Sequence, residues 1–213
     1  MGGGYSPDAL SYWQYRDAGQ SSVNQMQEPD ASGNRAEKAS ELSTAGNVMS
    51  SGDFKDDQGL EALARMYPRE QFHQRKKQYR ELVQTFNQIV HELYGVPSNN
   101  LATGMTVVLA GAYAAYHNKS FPDDWVKQLY LQMEQELQQD PRLATRTVAQ
   151  RASDYLVMVG SGMALLLMQA ELQKAPNPKV AAQLRRTGAD ALRSLVSAEP
   201  DRVEFSSSGL RLR

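Results

Sequence analysis

YLVMVGSGMALLLM, residues 155–168, is the stretch whose reading decides the fold. Its polar side-chain groups are Ser161 and the Tyr155 hydroxyl, so a helix built from it is apolar on every side and has to be buried. At ~1.5 Å per residue the run covers only ~21 Å, short of the ~30 Å hydrocarbon core of a bilayer. That places it at the centre of a soluble helical domain. With its flanks it predicts a central helix over 148–173, around which an all-α single bundle of about five helices packs.

Working outward, LATGMTVVLAGAYAAY at 101–116 predicts a second core helix, capped by Ser98 or Asn99. Its Gly104, Ala110, Gly111, Ala112, Ala114 and Ala115 thin one surface so that another backbone can come close. Gly160 and Gly162 of the central helix are the expected partners. Upstream, Phe72, Tyr79, Leu82, Val83, Phe86, Ile89, Val90 and Leu93 recur at three- and four-residue spacings, one apolar stripe on a long helix. That helix begins near Arg69 and is stopped by Gly95 and Pro97. Its opposite face carries Arg75, Lys76, Lys77 and Arg80, read as a solvated face, with phosphate or anionic lipid as the alternative.

Pro122, Asp123 and Asp124 open a third helix, with Trp125, Leu129, Met133 and Leu137 as its buried stripe and Gln132, Glu134, Gln135, Glu136, Gln138 and Gln139 on the wet face. Asp140-Pro141 ends it, and Thr145 or Thr147 caps the central helix. The run APNP at 175–178 separates that helix from a last amphipathic one, marked by Val180, Leu184, Ala191, Leu192, Leu195 and Val196. At the C-terminus Val203–Phe205, a Ser-Ser-Ser-Gly turn and Leu210–Leu212 alternate apolar with polar residues, as a small β-hairpin does.

Residues 1–56 are rich in Gly, Ser, Asn, Gln and Asp and carry no sustained apolar period, which is the composition of an irregular arm. Within it Tyr5, Tyr12, Trp13 and Tyr15 cluster with Leu10. The arm is expected either to plug grooves of its own helical domain or to grip a protein partner or a second copy of the chain. Weak helical character runs over 36–49, and 60–67 predicts a short helix closed by Pro68, so the division is an arm over 1–68 and a helical domain over 69–213.

A net charge of -1 over 213 residues gives no basic field for nucleic acid. With no cysteine, disulfides, thiolate metal sites and a thiol nucleophile are excluded. The opening MGGGYSPDAL has no basic segment followed by an apolar core, as a chain whose export signal has been removed would begin. His73, His91 and His117 stand in no metal-ligand pattern such as HExxH. No nucleophile elbow and no phosphate-cradling glycine loop is present, so no catalytic residue, metal or cofactor is expected. Gln150 and Asp154, four apart and beside Tyr155, enter the apolar helix at its first turns. They predict a buried polar network; one wall of a ligand pocket or a general acid or base are the other readings.

NNLA at 99–102, AYAAYHNKSFPDDWV at 112–126, QRASDYLVMVG at 150–160, LRSLVSAEPDRVEF at 192–205 and Gly209-Leu210 together resemble an uncharacterised family of exported bacterial helical proteins, over about residues 70–212. The resemblance implies an all-helical fold, export through a cleaved signal to the periplasm or the exterior, and no activity that can be carried over. The function expected from residues and resemblance is a non-enzymatic interaction or structural module. The alternatives are a membrane-active protein inserting 101–116 and 155–168 as a pair, and a ligand-binding or hydrolytic protein with a site near Asp154.

Overall fold

Local stop signals cut the chain into the elements of the computed structural model, which describes residues 57–213. Tyr5, Leu10, Tyr12, Trp13, Tyr15 and the weakly helical 36–49 lie outside the described residues. α1 spans Gln58–Ala64. After Pro68 and a 3-10 turn, α2 runs Phe72–Tyr94 and closes on Gly95, whose φ of 64° is the left-handed conformation a helix end often needs. α3, Leu101–His117, is capped by Asn100, whose side-chain oxygen accepts from the Ala102 N–H at 2.8 Å. The cap is therefore not Ser98 or Asn99. A capping residue needs extended backbone, and Asn99 sits at φ 53° while Asn100 is extended.

Pro122 and the 3-10 turn Asp123–Trp125 lead into α4, Val126–Gln139, followed by the single turn α5, Pro141–Ala144. α6, Val148–Lys174, starts on a capping box in which the Thr147 hydroxyl accepts from the Gln150 N–H and the Gln150 side chain accepts from the Thr147 N–H. α7 spans Pro178–Val196, capped by Asn177. The chain ends in an antiparallel hairpin of β1, Val203–Ser206, and β2, Gly209–Leu212, with Val203 opposite Leu212 and Ser206 opposite Gly209. The five main helices and the hairpin stand where the sequence places them.

α3 and α6 form the central pair and share the most extensive contact; α4 and α7 cover α3, while α1 and α2 rest on α6. The contact depends on two glycines. A Cβ placed on Gly111 would lie 2.5 Å from the Gly162 carbonyl oxygen, and one on Gly162 would lie 2.5 Å from the Val107 carbonyl oxygen. Backbone thus meets backbone. Gly160 does not share this contact as expected: two residues are about 200° of helix, so it opens on the opposite side, toward Leu63 of α1 and Tyr79 of α2. Gly188 of α7 meets the α3 backbone at Ala112 and Tyr116 in the same manner.

Two side-chain readings change with the packing. Leu60, Leu63 and Ala64 of α1 are fully buried, so the core draws on residues ahead of position 69. Gln132 is not on the wet face of α4. Its amide brackets the β2 backbone, donating to the Leu210 carbonyl at 2.8 Å and accepting from the Leu210 N–H at 2.7 Å, and so fixes the hairpin to the helix.

Gly111→Ala is expected to lower stability by about 1–3 kcal/mol, because the obstruction it meets is backbone. The intrinsic helix preference for alanine, worth ~1 kcal/mol, works the other way and is outweighed. Gly160→Ala meets a movable Leu63 methyl and is expected to cost less. Urea unfolding of the two variants checks this; a Gly111→Ala midpoint at or above wild type contradicts the contact.

Candidate functional site

Gln150, Asp154 and Tyr155 share one end of α6, where Gln150 is exposed and Asp154 and Tyr155 are buried. The Gln150 side-chain oxygen closes the capping box at the helix start. The Asp154 carboxylate, 4% exposed, pairs with Arg146 at 2.6 Å, and Arg146 comes from the turn ahead of α6. This ion pair closes the α5–α6 turn onto the helix. Tyr155 reaches α2 and the α2–α3 loop. Its hydroxyl donates to the Asn87 side chain of α2 and accepts from the Asn99 N–H at 3.1 Å, while Asn87 donates to the Asn99 side chain at 3.1 Å. The triangle ties α2, the α2–α3 loop and α6 together and explains why the left-handed Asn99 is held. Burial, partly offset by the Asn99 N–H, pushes the Tyr155 hydroxyl far above the ordinary tyrosine range. It is a donor locked in its neutral form.

The basic stripe of α2 is occupied from within. Lys76 bridges Asp57 at 3.0 Å and Glu61 at 2.8 Å, Arg80 also reaches Asp57, and Lys77 lies 3.8 Å from Glu81. Arg75 is buried over the Tyr67 ring, 4.4 Å from its centroid, and donates to Gln71 and Gln78. Burial works to raise the Asp57 carboxyl and is outweighed by hydrogen bonds from Lys76 and Arg80, which hold it below the usual range. The face is not simply solvated, as the sequence reading had it, and it offers little free charge for phosphate.

Among the described residues no three His, Asp or Glu side chains gather as a metal-ligand set. His117, whose pKa burial, Lys119 and Arg185 lower, makes a tilted contact with the Tyr113 ring and an edge-on one with Tyr116.

What the packing leaves open is apolar. α2 rests on α1 and α6 and makes little contact with α3. The gap is a groove walled by Phe86, Ile89, Leu93 and Tyr94 of α2, by Thr103, Thr106, Val107 and Ala110 of α3, and by Met163 and Leu166 of α6. Phe121, Asp123 and Val126 close one end, where the Tyr94 hydroxyl donates to Asp123 at 3.3 Å. Both threonines spend their hydroxyls on nearby carbonyls, Thr103 on Pro97 and Thr106 on Ala102, so they present methyls and no free donor. Tyr79, Val83, Phe86 and Val90 are buried as expected, whereas Ile89 is 39% and Leu93 61% exposed. The stripe on α2 is wider than the surface the described residues cover.

The described residues thus present a hydrophobic groove walled by three helices. The chain belongs to a family of unknown function (DUF6683), whose model matches residues 11–213. The match takes in the aromatic segment from Ser11 on, well ahead of residue 70. No curated protein and no solved structure matches the chain.

Two measurements check the polar contacts. Asp154→Ala is expected to cost roughly 3 kcal/mol, by leaving Arg146 against a buried face without its partner; an unchanged urea midpoint contradicts the pairing. A tyrosine whose pKa is raised by folding contributes stability that is complete below pH about 10 and falls as the pH climbs beyond it. Tyr94 and Tyr130 are also raised, each by burial first and then by Asp123 and Glu134 respectively. Tyr155→Phe is therefore expected to shallow the alkaline loss of stability without abolishing it. An identical pH profile in the variant contradicts the buried triangle.

Proposed function

We propose that this protein is a non-enzymatic helical interaction module that receives a protein partner in the apolar groove between α2 and α3. The observation that carries the reading is the exposure of Ile89 and Leu93 on a helix whose stripe residues Tyr79, Val83, Phe86 and Val90 are buried. A groove with an apolar floor and one polar end, Tyr94 with Asp123, suits an amphipathic segment better than a polar metabolite. The engagement of Asp154 by Arg146 speaks against a hydrolytic site there. Resemblance to exported bacterial helical proteins supports a setting in the periplasm or outside the cell.

A membrane-active reading has its own support. α6 is long and apolar enough to cross a bilayer by length and composition, although the shorter run at 155–168 is not. Against it, 67% of that window is buried inside the domain, and Gly162 is locked to the α3 backbone.

The full chain serves as bait for crosslinking capture from envelope extracts, beside Leu93→Asp and a control, Leu131→Asp, at a position 44% exposed on α4. Loss of a captured protein with Leu93→Asp and its retention with Leu131→Asp is expected. Equal capture by both variants contradicts the groove. Co-sedimentation with vesicles unaffected by Leu93→Asp favours the membrane-active reading instead.

A further inference from the structure

We propose that the occupant of this groove in the resting protein is the chain's own segment Leu10–Tyr15, seated with its aromatic side chains over Ile89 and Leu93. The inference rests on the groove being a docking surface, and names what covers it before a partner arrives.

The groove's shape sets the chemistry of its occupant. Its hollow is about 150 Å³ and lined almost wholly by carbon. Apolar cavities of that size accept one benzene-sized ring. The Tyr94 hydroxyl and the Asp123 carboxylate at one end ask for a ring with a polar tip, or for a cation beside it. Ahead of the described residues, LSYWQY at 10–15 is where Leu10, Tyr12, Trp13 and Tyr15 come together, and the basic Arg16 follows directly. Apolar bodies, polar tips and a positive charge are therefore offered in one short stretch.

Chain length permits the seat. Roughly 40 residues separate Tyr15 from Asp57, where α1 is about to begin beside α2 and α6. A chain of that length has a root-mean-square span of ~35 Å, and a domain the size of the described one has a radius of gyration of ~15 Å. Every face of the domain is within reach. Tethering also presents the segment at an effective concentration on the order of millimolar, so a contact too weak to hold a free peptide is populated within the chain. The family match supplies the last support. It begins at Ser11 and runs through the intervening residues into the helices, so this segment is part of the same shared pattern as the groove.

The test places p-benzoylphenylalanine at Tyr12 of the full chain, followed by irradiation at two protein concentrations tenfold apart and peptide mapping. Expected are crosslinks within one chain to 86–94, 103–110 or 163–166, with a yield that does not change on dilution. Leu93→Asp, and separately Ile89→Asp, are expected to lower that yield about tenfold or more, the factor lost with one buried aliphatic side chain. Leu131→Asp is expected to leave it alone, and circular dichroism melts confirm that each variant is folded. Crosslinks that join two chains and fade on dilution overturn the proposal in favour of arm exchange with a second copy. Crosslinks elsewhere on the domain, or none, overturn it outright. If partner capture is lost in Leu93→Asp while no arm crosslink reaches the groove, the seat fails and the docking reading stands. If the crosslinks map to the groove while capture ignores Leu93→Asp, the docking reading fails and the seat stands.

Discussion

The approach of two backbones at Gly111 and Gly162 is the constraint from which the rest of the domain follows. α3 and the stretch 152–165 of α6 are apolar nearly all round and largely buried. Only with the side chains removed at the crossing do the two helices come close enough for Val107, Val108, Met158 and Leu165 to fill the space on either side at interior density. Once they are paired, each has one remaining broad surface. α3 gives its surface to α4 and α7, and α6 gives its own to α1 and α2.

That division leaves a seam. α2 is held by α6, by the hydroxyl pair of Tyr67 and Tyr79 and by the Tyr155 triangle, so its apolar stripe meets α6 along one edge only. The other edge, Ile89 and Leu93, faces α3 across a gap that neither helix fills. Elsewhere the domain uses its polar chemistry on itself: Asp154 on Arg146, Asp57 and Glu61 on Lys76, Gln132 on the hairpin, Tyr116 on Asp201. What the packing leaves between α2 and α3 is a hydrophobic groove.

Much of this was legible before any coordinates. Helix ends follow from Gly95, Pro122 and the APNP run because each imposes a backbone that a helix cannot continue, and the small residues of 101–116 announce a close contact. Which glycine makes that contact was not legible: Gly160 and Gly162 differ only in direction around α6, and direction is set by partners the sequence does not order. Thr147 and Gln150 spell a capping box, a local signal stronger than the four-residue spacing to Asp154 that suggested a network. Helical spacing does not signal Arg146, because it reaches Asp154 from a turn. The exposure of Ile89 and Leu93 is invisible to periodicity, which reports that a helix has an apolar face and not how much of it a neighbour covers.

The most direct test of the account is methyl nuclear magnetic resonance of the full chain with a soluble paramagnetic agent, comparing Ile89 and Leu93 with Leu131. All three are open to solvent in the helical domain. If the groove is a docking surface seated by the chain's own aromatic segment, the Ile89 and Leu93 methyls are expected to be shielded while Leu131 broadens. Equal broadening at the three positions would contradict it, and would leave the seam between α2 and α3 as exposed surface without an occupant.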